Sequence, residues 1–266
     1  MPISGYLICF YGILKRELTR FMHQHSRFIA ALIRPMVWLF IFAAGLRSAL
    51  EFSNTLPYEG TVLYEIYIIP GLIGMILLFS SMQSALSIVY DKEMGSMRAL
   101  LVSPFPRSFL LVSKLFSGVI VAMVQAYVFI AITWLWGLTF PLSGLIYVFP
   151  TLLLGGMLMA SLGLLISSIV KQLENFAGVM NFIIFPLFFA SSGLYPLAQM
   201  KKSSIILYQI ASLNPFTHMV ELIRYALYGK LNELSLGVVI LMMCLFLGLA
   251  LMAYNPSQWF VRHKSL

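Results

Sequence analysis

The side chains able to do chemistry in this chain are few, and their spacing argues against catalysis. Its four histidines are His23, His25, His218 and His263. His23 and His25 stand two apart, so on a helix they point to different sides and do not pair on a metal. No G-x-x-x-x-G-K-[ST] loop occurs, so no phosphate cradle of that kind binds ATP. The middles of the apolar runs hold no acids, and proton relays in membranes depend on such groups. Cys9 and Cys244 lie in apolar stretches without paired spacing and read as structural thiols. The polar chemistry gathers instead in two places. One is Asp91–Lys114, DKEMGSMRALLVSPFPRSFLLVSK; the other is Asn214–Arg224, where Glu221 and Arg224 stand at i,i+3. Neither is a bond-making constellation. Both have the make-up of a mechanical or docking element.

The first stretch interrupts long apolar runs with charges, Gly95, Pro104 and Pro106. Ser96 to Val102 can form about two helical turns before the prolines break the helix. Arg107 and Lys114 bracket the start of the next apolar run. A short polar helix across the mouth of a membrane bundle suits docking to a soluble partner. An ordinary cytoplasmic loop fits the same spacing.

These segments need elements to hold them, and composition names the class. The 266 residues are 61% hydrophobic and only 10% charged, with a formal net charge of +8. A soluble domain carries roughly 25% charged residues. One water-soluble core cannot hide this surplus of apolar side chains, so the chain is read as an all-α integral membrane protein. The positive charge follows the positive-inside rule and does not call for nucleic acid as a partner.

Six spans are expected, over about 28–50, 67–90, 109–135, 147–170, 176–194 and 234–254. Each approaches the roughly 20 residues that a ~30 Å hydrocarbon core requires. Residues 1–27 precede them. There Leu7, Phe10, Leu14, Leu18 and Phe21 recur at three- and four-residue steps, opposite Lys15, Arg16, Arg20 and His23. That is the pattern of a basic amphipathic helix in the membrane interface, on lipid, although a soluble helix packed on a partner also fits. In the fourth span, Gly156–Ala160 and Gly163–Ser167 form small-xxx-small pairs that allow close helix approach. The fifth groups Phe182, Phe185, Phe188 and Phe189 around Pro186. With the N-terminus inside, 12 of the 17 basic residues fall on the cytoplasmic face. This bias places both termini and the 91–107 hinge in the cytoplasm.

Residues 195–233 are too long for a turn. Phe216, Met219, Val220, Ile223 and Leu227 line one helical face, and Asn214 and Pro215 suit a helix start. A helix or helix pair dipping into the outer leaflet is expected. A seventh span is the alternative, weakened by Glu221 and Arg224. The Glu221–Arg224 pair either braces this outer segment or is a solvated pair of little energetic weight.

Two motifs in this order on six spans resemble the permease subunit of type-2 ABC exporters, the ABC-2 family of drug, polysaccharide and lipo-oligosaccharide exporters. The first is carried by Glu93, Gly95, Leu100, Ser103, Pro104, Arg107 and Lys114. The second is carried by Asn214, Pro215, Phe216, Thr217, Val220, Glu221, Ile223 and Arg224, with Tyr195-Pro196 before it. The resemblance covers nearly the whole chain and implies one transmembrane domain over 1–266. It also implies a coupling helix seated in an ATPase cleft. Met97, Leu100, Leu101 and Phe105 would supply apolar contact there, and Glu93, Arg98 and Arg107 a polar rim. ATP and Mg would then sit on a separate ATPase chain, present in two copies, beside a second copy of the permease in a homodimer. The same likeness implies that the Phe182–Phe189 group lies near the substrate path or outer gate; lipid contact or helix packing is the other reading. Export of an amphiphilic or apolar substrate across a bacterial plasma (inner) membrane follows as the expected function. A non-transporting assembly or sensor protein that docks a partner through the same hinge is the alternative.

Overall fold

The computed structural model describes residues 3–23, 25–43, 45, 51–53, 57–58, 61–94, 104–138, 140–170 and 172–254. Its elements run α1 (Ile3–His23), α2 (His25–Val37, continuing as a π-helical stretch Trp38–Ala43), β1 (Glu51–Ser53), β2 (Thr61–Leu63), α3 (Tyr64–Glu93) and α4 (Arg107–Leu135). They continue with α5 (Leu142–Ile169), α6 (Leu173–Phe189), α7 (Leu197–Ser203), α8 (Ile205–Leu213), α9 (Pro215–Leu227) and α10 (Glu233–Ala253). The strands pair antiparallel as a small ribbon, Phe52 opposite Val62. The other elements among the described residues are helices.

Among the described residues, α3, α4, α5 and α10 are long and apolar enough to cross a membrane. Two shorter apolar helical stretches, Phe28–Ile41 and Leu173–Phe189, correspond to the expected first and fifth spans. The first span was expected to reach residue 50, and 46–50 lie outside the described residues. At 1.5 Å per residue, helices of 28–30 residues exceed the ~30 Å hydrocarbon core. Helices of that length are long enough to carry their ends into a headgroup region, where charges are tolerated.

The centre of the protein is α3. It packs against α2, α4, α5, α6 and α9. From Tyr67 to Leu78 every residue is buried, which is why the stretch is apolar on all sides. The helix runs unbroken through Pro70 near its start. α5 is the second hub, set between α3, α4, α9 and α10. Its small residues serve three different neighbours. A Cβ on Gly155 would meet Met219 of α9, one on Gly156 Val119 of α4, and one on Gly163 Ala85 of α3. Close approach replaces the hydrophobic driving force that lipid removes.

The expected re-entrant segment contains three short helices, α7, α8 and α9, one more than the pair predicted. Prolines and caps set their boundaries. Pro196 stands just before α7, the Ser204 hydroxyl accepts from Leu207 N–H, and Asn214 caps α9 with Pro215 at its first position. Gly229, at φ +68°, closes α9 in the left-handed conformation that glycine adopts without penalty.

Candidate functional site

Two charged centres stand at opposite ends of α3, its N-terminal end, called outer after the orientation expected from the charge bias, and its C-terminal end, called inner. At the outer end, Asn214 opens α9, and its side chain does three things. Oδ1 accepts from Phe216 N–H at 2.9 Å, while Nδ2 donates to the carbonyls of Leu187 and Ala190 at 2.8 and 2.7 Å. Those carbonyls end α6 and would otherwise lack partners. One residue thereby caps one helix at its start and another at its finish.

One turn further on, Thr217 Oγ1 accepts from Ser192 N–H at 3.2 Å. The Ser192 carbonyl receives two donors, Tyr67 Oη and Arg224 Nη2, each at 2.8 Å. Arg224 is 1% exposed. Its guanidinium forms an ion pair with Glu221 and stacks over the Tyr67 ring at 4.0 Å. The expected alternative of a solvated pair is thus overturned. A planar fork that binds a carboxylate, a carbonyl and an aromatic face together is chemistry a lysine cannot reproduce.

Tyr58 and Tyr228 close the site, their rings 5.0 Å apart. Burial pushes the Tyr58 phenol up to about 12, against the opposing pull of Arg224, so it stays protonated and neutral. For Arg224, desolvation is outweighed by Glu221 and the tyrosines, and the guanidinium is held more firmly charged. The backbones of α3 and the 190–196 turn touch here. A Cβ on Gly71 would overlap the Gly193 carbonyl. Pro196 is buried while Tyr195 is 42% exposed.

At the inner end, three consecutive residues of α3 reach three different places. Asp91 forms an ion pair with Lys114 of α4. Lys92 donates to the Ser167 carbonyl at the end of α5 and lies 4.3 Å from the Tyr254 ring, whose hydroxyl shares a hydrogen bond with Ser167 Oγ. Glu93 Oε2 accepts from Leu173 N–H at 3.1 Å, the first residue of α6. A carboxylate at a helix N-terminus satisfies a donor that the helix cannot, and it complements the helix dipole. One turn thus grips α4, the α5–α10 pair and α6.

These three residues open the 91–107 hinge. Gly95, Met97, Arg98, Leu100, Leu101 and Ser103 lie outside the described residues. Pro104, Phe105 and Arg107 are described on its far side. The Phe105 ring packs edge-on to Tyr6 of α1 at 5.2 Å and lies 6.0 Å from Phe109. It fits a strut between the hinge and the interface helix.

The phenylalanine group of α6 divides. Phe188 is 1% exposed, against Trp38 and Phe216. Phe182 and Phe185 are 79% and 53% exposed, and Phe189, stacked on Phe185, is also exposed. Phe188 is therefore core, and the other three form the outward face. Sequence reading missed Tyr58, Tyr67, Asp91 and Lys92 as partners. Local patterns do not report the Tyr67–Ser192 and Lys92–Ser167 contacts, 125 and 75 positions apart, and the Asp91–Lys114 pair, 23 apart, spans the break between two helices. It also missed a signal that was present: Ser80, Gln83, Ser84 and Ser87 form a polar stripe at helical spacing in an apolar span.

Comparison with known proteins gives these centres a family. Residues 9–228 match the family model described as ABC-2 type transporter. A transport permease named ycf38 from Cyanophora paradoxa is 27% identical over 81% of this chain and 72% of its own length. A chain named as the multidrug ABC transporter permease YbhR of Escherichia coli is 30% identical over 68% of this chain. That match spans only 48% of YbhR. Nodulation protein J of Neorhizobium galegae is 30% identical over 44% of this chain and 45% of its own length. With both motif regions inside the matched residues, and four apolar helices long enough to cross a bilayer, the chain belongs to the ABC-2 type transporter family as a membrane permease.

Proposed function

We propose that this permease is one half of an ATP-driven exporter. Six spans, with both termini and the 91–107 hinge in the cytoplasm, would put the 195–233 segment on the outer side. Two copies would enclose the path, and two ABC ATPase chains holding ATP and Mg would dock on the hinges. The exposed Phe182, Phe185 and Phe189 face suits amphiphilic or apolar cargo, or the contact with the second copy. A bacterial plasma (inner) membrane suits this arrangement.

The observation that carries the reading is the turn Asp91–Lys92–Glu93. A partner that moved the hinge would pull on the last turn of α3. That turn is bonded to α4, to the ends of α5 and α10, and to the start of α6. Motion would then reach four helices, and through Glu93 it would reach the helix that carries the exposed phenylalanines. ATPase closure would thus act on the bundle by displacing polar contacts, without dismantling the apolar core.

The test is ATPase activity of the reconstituted complex with its ABC ATPase. Wild type is compared with Glu93→Ala and with Leu100→Asp/Leu101→Asp. Loss of co-purification or of permease-dependent ATPase activity in the hinge variants supports the reading. Wild-type binding and stimulation in both variants removes the hinge from the mechanism. A complex that docks and hydrolyses ATP, yet moves no amphiphile in vesicles under any cargo tested, would favour the assembly or sensor role.

A further inference from the structure

Three helical faces meet in a polar cleft that begins one helical turn from the Asp91–Lys114 pair, Ser87 standing four residues before Asp91 and Gly118 four after Lys114. The first is the stripe on α3, Ser80, Gln83, Ser84 and Ser87, at i, i+3, i+4 and i+7. Opposite stand Gly118 and Gln125 of α4, two turns apart on one face. Glu17, Arg20 and Phe21 of the interface helix form the rim. The cavity has a volume of about 70 Å³. Gly118 keeps it narrow at the base, where a Cβ would lie 2.6 Å from Ser84 Oγ.

Several hydroxyls of the bundle satisfy themselves on their own helix, and Ser87 Oγ within the cleft, like Ser81 Oγ outside its lining, is an exception. Ser117, Thr133, Thr151, Ser161, Ser167 and Ser168 each donate to a carbonyl three or four residues earlier on their own helix. This back-bonding is the ordinary way such residues satisfy themselves in apolar surroundings. Ser87 Oγ is buried without a hydrogen-bond partner among the described residues, and so is Gln125 Oε1 on a side chain 2% exposed. Unsatisfied groups at this depth are costly unless something else bonds to them. At the rim, Arg16 pairs with Glu17 at 2.9 Å, and among the described residues Arg20 is the cation lining the cleft.

We infer that this cleft binds a headgroup combining a phosphate with hydroxyls, in the manner of the glycerol headgroup of an anionic phospholipid. Arg20 takes the phosphate at the rim. The glycerol hydroxyls exchange hydrogen bonds with Gln125 and the serine stripe, and the acyl chains leave along α1 past Phe21. The site stands on the geometry of α1, α3 and α4 alone, and is independent of the transported cargo and of the ATPase.

The experiment uses the purified full chain and native mass spectrometry. It is titrated with dioleoylphosphatidylglycerol and, separately, with dioleoylphosphatidylcholine. A buried polar group left unmatched is equivalent to about tenfold in affinity. The first phosphatidylglycerol is accordingly expected to bind roughly tenfold tighter than phosphatidylcholine. That preference is lost in Gln125→Leu, whereas Arg20→Gln weakens the binding of both lipids, since both carry the phosphate. Should Gln125→Leu fail to fold, Ser84→Ala/Ser87→Ala carries the same expectation. Displacement of the lipid by glycerol 3-phosphate would support the headgroup chemistry and show that a free polyol phosphate also serves. Without displacement, a retained preference that the Gln125 or paired-serine change abolishes supports the lipid as the source. Equal affinity for the two lipids would leave a cavity that holds water only, and would overturn the inference. A preference that survives the Gln125 or paired-serine change would overturn it too.

Discussion

The two ends of α3 hold charge in opposite ways. At the outer end one guanidinium is sealed inside the protein, and its partners converge on it: Glu221 on its own helix, the Ser192 carbonyl of the 190–196 turn and the Tyr67 ring of α3. At the inner end three charged residues share one turn, remain partly exposed, and each holds a different neighbour. A sealed charge makes a fixed joint, because opening it strands an ion in a medium that cannot solvate it. A distributed, partly hydrated set makes a movable joint, because each contact can be exchanged for water at modest cost. Rigidity at one end and compliance at the other is what the proposed lever needs.

The largest test of this contrast is Arg224→Met. It leaves Glu221 and the Ser192 carbonyl without their cation, and a loss of about 3–5 kcal/mol is expected. The readout is the thermal midpoint of the purified protein, with Arg224→Lys recovering only part of the loss because one ammonium cannot span the same partners. Next comes Gly71→Ala, which drives a methyl group into the Gly193 carbonyl and is expected to cost about 1–3 kcal/mol. Urea or heat unfolding measures it, and an unchanged midpoint would mean that the outer joint gives way easily.

At the inner end the effects on stability are smaller and those on coupling larger. A double-mutant cycle with Asp91→Asn and Lys114→Met is expected to give an interaction of about 1 kcal/mol, since Lys114 is 7% exposed and Asp91 22%. Glu93→Gln, which keeps an oxygen acceptor for Leu173 N–H, is expected to change stability by less than about 0.5 kcal/mol. It should still lower permease-dependent ATPase activity, and a fall in stability as large as that of Arg224→Met would erase the distinction between the two ends. Smallest of all, Phe182→Ala on the exposed face of α6 should leave the midpoint of the isolated chain within about 0.5 kcal/mol. A large drop there would mean that the face is already covered.

Much of this molecule was legible in the amino-acid order. Hydropathy located the apolar helices because bilayer thickness sets their length. Prolines and caps marked helix starts, as at Asn214-Pro215. Composition alone set the all-α membrane class, since lipid leaves no alternative for the backbone among helical sequences. The motif Asn214–Arg224 was readable as a unit because its residues sit within three turns of one helix. Local order could not say that Arg224 lies in the interior: Glu221 and Arg224 look the same at i,i+3 whether water or tyrosine surrounds them. Nor could it split Phe188 from Phe182, since the faces of an apolar helix differ only by what packs there. The tertiary structure decided that Ser192, Tyr67 and Arg224 meet, and that Asp91, Lys92 and Glu93 grip separate helices. Periodicity determines which side of a helix is polar, but the partner of a polar group at long range depends on how the helices cross.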